Sequence, residues 1–438
     1  MNVRTQKLIF AATSRLTDIF PVFGARALDA TLRPLLGSRA QQALFARRNR
    51  AVMRRVKAPR RFLVIPDIHI GDAVLTQPAL TAVRDFFPDA EVDYVVNRTA
   101  APLIEGHPDA TRVLPIFTGG SFPSAADLAA LRETIRTGRY DLCLAFSSLL
   151  DEKEQADPAQ PYVSVMSQAP TIVRNESDPV AINHFSYQDY GFVRGVLGMV
   201  ARPVREERYQ GTRTILSDEA IEGARRFVAE GAITPGAPLV MFNPDGASPF
   251  TIMPRESQVA LLERIARDAP AQTGILIGAG HSTPGMGQRV VDALSDGVRS
   301  RVRIVPPSVP LATYAALIDL ADVFITGDTG PLHLAASRKV SRSGAHRFRN
   351  RTAVLSVFGA TFPRMSGYDS SQPGFLPTNQ DAPSWCFLAG SRCHNITCLN
   401  KLYKTCREVR CFEHLDVDAL VSVVLDHLAG LASHRVPA

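Results

Sequence analysis

From Arg61 to Phe358, short apolar runs alternate with stretches whose apolar residues recur every three or four positions. That alternation constrains the fold more than any other feature, because it is the pattern of parallel strands joined by crossover helices. A first series predicts strands at Phe62 to Pro66, Val92 to Val96, Arg112 to Ile116 and Asp141 to Phe146, with helices at Ala73 to Phe87, Ala100 to Gly106 and Ala125 to Thr137 between them. Further helices are expected at Tyr187 to Met199 and Ser217 to Glu230, on either side of a polar, Arg-rich linker. A second series predicts strands at Leu239 to Asn243, Gly274 to Ile277, Arg303 to Val305, Val323 to Thr326 and Val354 to Phe358, with helices such as Ser257 to Asp268 and Leu311 to Leu320. With 438 residues, of which 45% are hydrophobic, the chain is too long for one core and can fill two. The expected fold is α/β, with two doubly wound Rossmann-like domains over residues 61–205 and 206–415, followed by a helix in 416–438.

The net charge of +7 invites a nucleic-acid reading until the charge is located. Residues 1–61 hold 14 Lys or Arg against only Asp18 and Asp29, a net +12 that leaves the remainder mildly acidic at −5. Basicity therefore belongs to an arm over residues 1–60, and nucleic acid is not an expected partner. Leu8, Ala12, Leu16, Ile19 and Phe23, then Leu28, Leu32, Leu35, Leu36, Ala40 and Leu44, repeat at helical spacing among arginines. Such helices suit an anionic membrane surface, or they pack on the protein's own body while the arginines stay solvated. No run reaches the ~18 uninterrupted apolar residues of a membrane span, and the N-terminal apolar runs, broken by Arg15 and Asp18, are not expected to serve as a secretory signal. The expected location is cytoplasmic, including the inner face of the membrane.

Three strand-turn-helix segments carry candidate chemistry. In Phe62 to Leu80, a glycine turn at Gly71 precedes a helix whose first turn holds Asp72, with His69 just before it. A carboxylate there can favour the start of a helix or serve as a general base at the strand end, where this kind of fold places its ligand. In Val323 to Ser337, Gly327 and Gly330 bracket Asp328 and Thr329, and His333 follows one turn later; the glycines let backbone approach a diphosphate. In Leu239 to Pro254, Asn243, Gly246 and Ser248 lie in a loop suited to phosphate or ribose, and Arg255 follows it.

GDAVLTQPAL, the NPDGAS loop, GDTGPLHLAAS and VFGAT, in that order, together with FFPDAEVDYVV and APLIEGHPDATRV, resemble the ADP-heptose:lipopolysaccharide heptosyltransferases, glycosyltransferase family nine. The resemblance spans most of Arg61 to the C-terminus and excludes the arm. It implies a GT-B fold with two domains facing a central cleft, and an inverting, metal-independent enzyme without cofactor. Such an enzyme moves a heptose-like sugar from an ADP-sugar to a lipopolysaccharide or another glycolipid or saccharide of the cell envelope. By the same resemblance Asp72 is the general base, and Asp328, Thr329, Gly330 and His333 hold the donor's diphosphate and sugar; Asn243, Gly246 and Ser248, from their place in the loop, are expected to join them. His69, Gly71, Arg255 and His281 are further donor or acceptor contacts.

The chain departs from the family at Pro66, Ile68 and His69, at Thr251 where a Lys is usual, and at His281 where an acid is usual. These changes keep a second reading open, a non-catalytic glycan- or nucleotide-binding relative; an epimerase or phosphorylase of the same fold is a third. Residues 338–351 read as an inserted basic stretch. Cys386, Cys393, Cys398, Cys406 and Cys411 are not at zinc-knuckle spacing and read as a local structural cluster, and Asp416 and Asp418 as caps of the last helix rather than metal ligands.

Overall fold

The computed structural model describes residues 47, 49–119, 123–146, 162–164, 184–206, 209–231, 233–234, 236–280, 282–359, 361, 363–389 and 411–434. The chain divides into two compact units, residues 1–178 with 185–211, and residues 179–184 with 212–438.

Unit 1 runs β1 (Arg61–Ile65), α1 (Ile70–Leu75), α2 (Gln77–Phe86), β2 (Glu91–Asn97), α3 (Ala101–Ile104), β3 (Arg112–Phe117), α4 (Ala125–Gly138), β4 (Leu142–Ala145), β5 (Tyr162–Ser164) and α5 (Phe185–Leu197). Its sheet is parallel in the order β3-β2-β1-β4-β5. β1 and β4 are almost wholly buried, and so read as unbroken apolar runs, whereas edge strand β3 is mixed. Where one continuous helix was expected from Ala73 to Phe87, the chain breaks at Thr76 into α1 and α2. Pro78 lies in the first turn of α2, where its missing N–H costs nothing. α4 opens with a reciprocal Ser124–Asp127 capping box.

Unit 2 runs β6 (Arg213–Leu216), α6 (Asp218–Ala229), β7 (Leu239–Phe242), α7 (Arg255–Asp268), β8 (Gly274–Gly278), α8 (Met286–Asp292), α9 (Asp296–Arg299), β9 (Val302–Val305), α10 (Leu311–Leu320), β10 (Val323–Gly327), α11 (Gly330–Ala336), β11 (Arg338–Ser341), β12 (Ala353–Phe358), α12 (Pro363–Ser366), β13 (Ser384–Leu388) and α13 (Val417–His434). Its main sheet is parallel, ordered β13-β12-β10-β7-β8-β9. A core built on Val240, Phe242, Leu261, Ile265, Ile275, Ile325 and Leu355 also takes in Leu420, Val424 and Leu428 of α13. Asp416 accepts from the Ala419 N–H, which is the capping role expected of it.

The basic stretch after α11 has regular structure. It opens with β11, which pairs in parallel with β6, and its Arg349 forms an ion pair with buried Asp322. It is thereby tied into the framework of unit 2. Lys339 of β11 is buried, donating to the carbonyls of Ala335 and Ser337 at the end of α11. Of the arm, only its end is described, a helical turn that buries Val52, Met53 and Val56. Residues 1–46 and Cys393, Cys398 and Cys406 lie outside the described residues. Among the described residues, no helix is long and apolar enough to cross a membrane.

Candidate functional site

Each sheet has one place where successive connections diverge to opposite sides. In unit 1 it lies between β1 and β4, and in unit 2 between β7 and β10. Strand ends at such switch points leave a crevice, which is where open α/β sheets bind ligands. The loop after β1 leads into Asp72, the loop after β7 holds Asn243, Gly246 and Ser248, and the turn after β10 holds Asp328 and Thr329.

In unit 1, Asp72 is half-buried in the first turn of α1, beside buried Gly71 and exposed His69. Its helix is short, so neighbours must fix it. The Asn97 amide donates to the Ile68 carbonyl at 2.7 Å, and the Ile68 N–H is held by Asp67. The Tyr94 hydroxyl, fully buried on β2, donates to the Ala73 carbonyl at 2.7 Å, and the Thr76 N–H closes the helix on the Asp72 carbonyl. Thr76 then donates through its hydroxyl to Asp189 of α5 at 3.1 Å. Burial pushes the Tyr94 hydroxyl well above its ordinary range, with the charges of Asp189 and then Asp72 adding to the effect. α5 is itself locked to α2, where Asp85 receives Tyr190 at 2.8 Å and Arg194 at 2.6 Å.

Burial pushes the Asp189 carboxyl up to about 8. Its ordinary value is ~3.9, so folding takes up a proton between those limits. This stabilisation is complete below ~pH 4 and is lost as pH rises through about 8, with a slope of up to about 1.4 kcal/mol per pH unit. Asp189→Asn keeps the shape and the bond from Thr76 but does not titrate. Melting curves between ~pH 5 and ~pH 8 should show the variant gaining on the wild type as pH rises. Parallel pH dependences would contradict it.

In unit 2, Asn243 is buried and its amide is spent on the protein, donating to the Asp245 carbonyl at 2.8 Å, the Thr326 hydroxyl at 3.1 Å and the Thr329 hydroxyl at 3.4 Å. Its part is to tie the loop after β7 to the turn after β10. The two segments interlock closely. A Cβ at Gly327 would lie 2.0 Å from the Thr251 carbonyl oxygen, and one at Gly246 would lie 2.8 Å from Thr329. Only glycine permits this approach. Ser248 accepts the N–H and the hydroxyl of Thr251 through its carbonyl, and Arg255 stands exposed at the start of α7.

Asp328 receives the Ser366 hydroxyl at 3.0 Å. Burial raises its carboxyl above the usual range, opposed by the nearby hydroxyls of Thr361 and Ser366. His333 is buried one turn into α11, its Nδ1 3.2 Å from the Tyr368 hydroxyl, while the His184 ring centroid lies 4.5 Å from that of Tyr368, the two planes tilted by 47°. Burial, reinforced by His184, drops the His333 imidazole to about 3. His333 is therefore neutral near pH 7 and offers one donor and one acceptor rather than a cation. Gly330 opens α11, and His281 lies outside the described residues. Sequence reasoning missed Tyr94, Asp189, Ser366, Tyr368 and His184, which reach their places through long-range packing that no local pattern announces, and it missed Thr76, whose hydroxyl partner Asp189 is just as distant although its N–H closes the helix of Asp72 locally.

Comparison with known proteins gives this arrangement its relatives. Residues 236–342 match the family model for glycosyltransferase family 9 (heptosyltransferase). A 76-residue stretch is 26% identical to lipopolysaccharide heptosyltransferase 3 of Escherichia coli (strain K12); it is 17% of this chain and spans only 22% of that protein's length. A family 9 glycosyltransferase from Veillonella parvula DSM 2008 superposes with a TM-score of 0.61 at 18% identity, covering 85% of this chain and 98% of its own. E. coli ADP-heptose lipopolysaccharide heptosyltransferase II gives 0.55 at 13% identity, covering 85% and 99%. Residues 236–342 thus form a glycosyltransferase family 9 segment, and the chain has the GT-B fold of the solved heptosyltransferases.

Proposed function

We propose that this protein is an inverting, metal-independent glycosyltransferase that moves a heptose-like sugar from an ADP-sugar to a lipopolysaccharide or another cell-envelope glycan. One observation carries the reading: the segment that matches the family, residues 236–342, contains both loops at the switch point of unit 2, after β7 and after β10. The related heptosyltransferase II is named for ADP-heptose, which supports an ADP-sugar donor. In this reading the turn from Gly327 to Gly330 carries the diphosphate on backbone N–H groups, Arg255 supplies a cation, and neutral His333 hydrogen-bonds the donor. Asp72 takes the proton of the acceptor hydroxyl as its oxygen bonds to the anomeric carbon and the nucleoside diphosphate departs.

A non-catalytic relative is the second reading, favoured by Thr251 and His281 standing where the family has a Lys and an acid. Mass spectrometry of the protein incubated with ADP-, UDP- and GDP-sugars and a lipopolysaccharide acceptor decides between them. Loss of one donor with a matching mass gain on the acceptor is expected; donor binding without consumption would establish the second reading instead.

The basic arm is proposed to dock on anionic lipid at the inner face of the cytoplasmic membrane, since +12 over 61 residues brings ~1 kcal/mol of attraction per basic residue near the surface. Co-sedimentation with phosphatidylglycerol vesicles should be strong for the full chain and weak for one starting at Arg61; equal binding would remove the proposal.

A further inference from the structure

Asp245 is a buried carboxylate whose two oxygens are treated differently. Oδ2 accepts the Ser282 N–H at 2.7 Å. Oδ1 is buried without any hydrogen-bond partner among the described residues. Leaving such an oxygen unpaired is costly, so it calls for a donor beyond the described residues. Among the described residues, the side-chain donors of Asn243 and Tyr314 are already committed. The Asn243 amide serves the Asp245 carbonyl, Thr326 and Thr329, and the Tyr314 hydroxyl points to the Asn243 side-chain oxygen at 3.5 Å. The place is not incidental to ligand binding. Asp245 follows β7 at the switch point of the sheet, and its neighbour Gly246 packs so closely on Thr329 that a Cβ there would lie 2.8 Å from it.

An ionised carboxylate only accepts hydrogen bonds and repels phosphate, so its partner must be a donor. Beside a turn that carries a diphosphate, the first donors in either direction along a nucleotide sugar are the hydroxyls of the ribose and those of the sugar. We propose that Asp245 Oδ1 recognises a ring hydroxyl of the nucleotide-sugar donor next to its diphosphate. This inference rests on the donor reading above, and it gives the loop after β7 a specificity role that neither Thr251 nor a cation supplies.

Asp245→Asn is the sharp variant, because its amide oxygen can keep the bond from Ser282 while its NH2 puts a donor where the acceptor stood. Calorimetric titration with ADP, 2′-deoxy-ADP, 3′-deoxy-ADP and ADP-heptose, alongside a melting curve, separates the outcomes. For a ribose hydroxyl, the wild type should bind one of the deoxy analogues about 10- to 100-fold more weakly than ADP, and the variant should lose both that much ADP affinity and the discrimination. For a sugar hydroxyl, ADP binding should be unchanged while the variant loses the same factor against ADP-heptose alone. The wild-type comparison among nucleotides stands even if the variant folds poorly. Equal binding of ADP and both deoxy analogues by the wild type, with the preference for ADP-heptose over ADP unaltered in the variant, would overturn the inference and leave the donor reading intact. A wild type that binds none of the four would overturn both.

Discussion

Asp72→Asn is expected to lower turnover by ~100- to 10,000-fold while leaving donor affinity and melting temperature close to wild type. A sugar hydroxyl is too weak an acid to ionise unaided near neutral pH, so its proton must leave as the new bond forms. A carboxylate held in place takes it; an amide of the same shape cannot. The separation of effects follows from where the residue sits. Asp72 belongs to unit 1, on a helix fixed by Tyr94, Asn97 and Thr76, whereas the residues assigned to the donor belong to unit 2. If Asp72 served only to favour the start of α1, Asn would fill that part tolerably and turnover would persist. Kinetics with varied donor, together with a melting curve, therefore test the assignment: near-wild-type turnover would end it.

Gly327→Ala is expected to have the largest effect on stability. Its Cβ would fall 2.0 Å from the carbonyl oxygen of Thr251, which is backbone and is held by bonds from the Thr251 N–H and hydroxyl to Ser248. Neither strand β10, buried along its whole length, nor this loop can withdraw without breaking the other. Overpacking of this severity costs about 3 kcal/mol or more, or roughly 6 to 12 °C in the melting temperature of a unit this size. Gly223→Ala is the fitting control, since its Cβ meets only the Thr313 side chain at 3.4 Å inside α6 and should gain roughly 0.5 to 1 kcal/mol from helix propensity. Differential scanning calorimetry of the two variants should give shifts of opposite sign; a Gly327→Ala protein as stable as wild type would show that the close approach is not present in solution.

The strands legible in the sequence were those buried on both faces. β1, β7, β10 and β12 are buried nearly throughout and read as apolar runs, interrupted only by Thr326 and Ser356, as strands of a parallel sheet covered on both faces do. β6 and β11 escaped notice because they form a small two-stranded sheet of their own; β6 is only four residues long, and β11 alternates exposed with buried positions, one of them occupied by Lys339. β13, Ser384 to Leu388, is an edge strand with a mixed pattern and no flanking glycine turn to mark it. The break at Thr76 did have a local signal in Pro78, but the apolar spacing on both sides of it favours one helix.

The site divides along the same physical line. Asp72, Asp328 and Thr329 could be picked out because glycine turns at strand ends are local in sequence. Asp189 could not, since it lies 113 residues from Thr76 and its helix shows only an ordinary amphipathic pattern with an acid on it. Asn243 was legible as a polar residue at a strand end. That its amide would be consumed in joining two loops depends on Thr326 and Thr329, more than 80 residues away. Asp245, beside it, drew no attention as one acid in a loop; only its burial and its unpaired oxygen distinguish it.

The account turns on one displacement at the anomeric carbon, with Asp72 removing the acceptor's proton and the nucleoside diphosphate leaving from the opposite side. A single displacement of that kind inverts the carbon it attacks. The direct test is the anomeric configuration of the glycoside formed from a nucleotide sugar of known configuration, read from its proton and carbon NMR couplings. The account predicts a product of the opposite configuration to the donor; a product that retains the donor's configuration would contradict it.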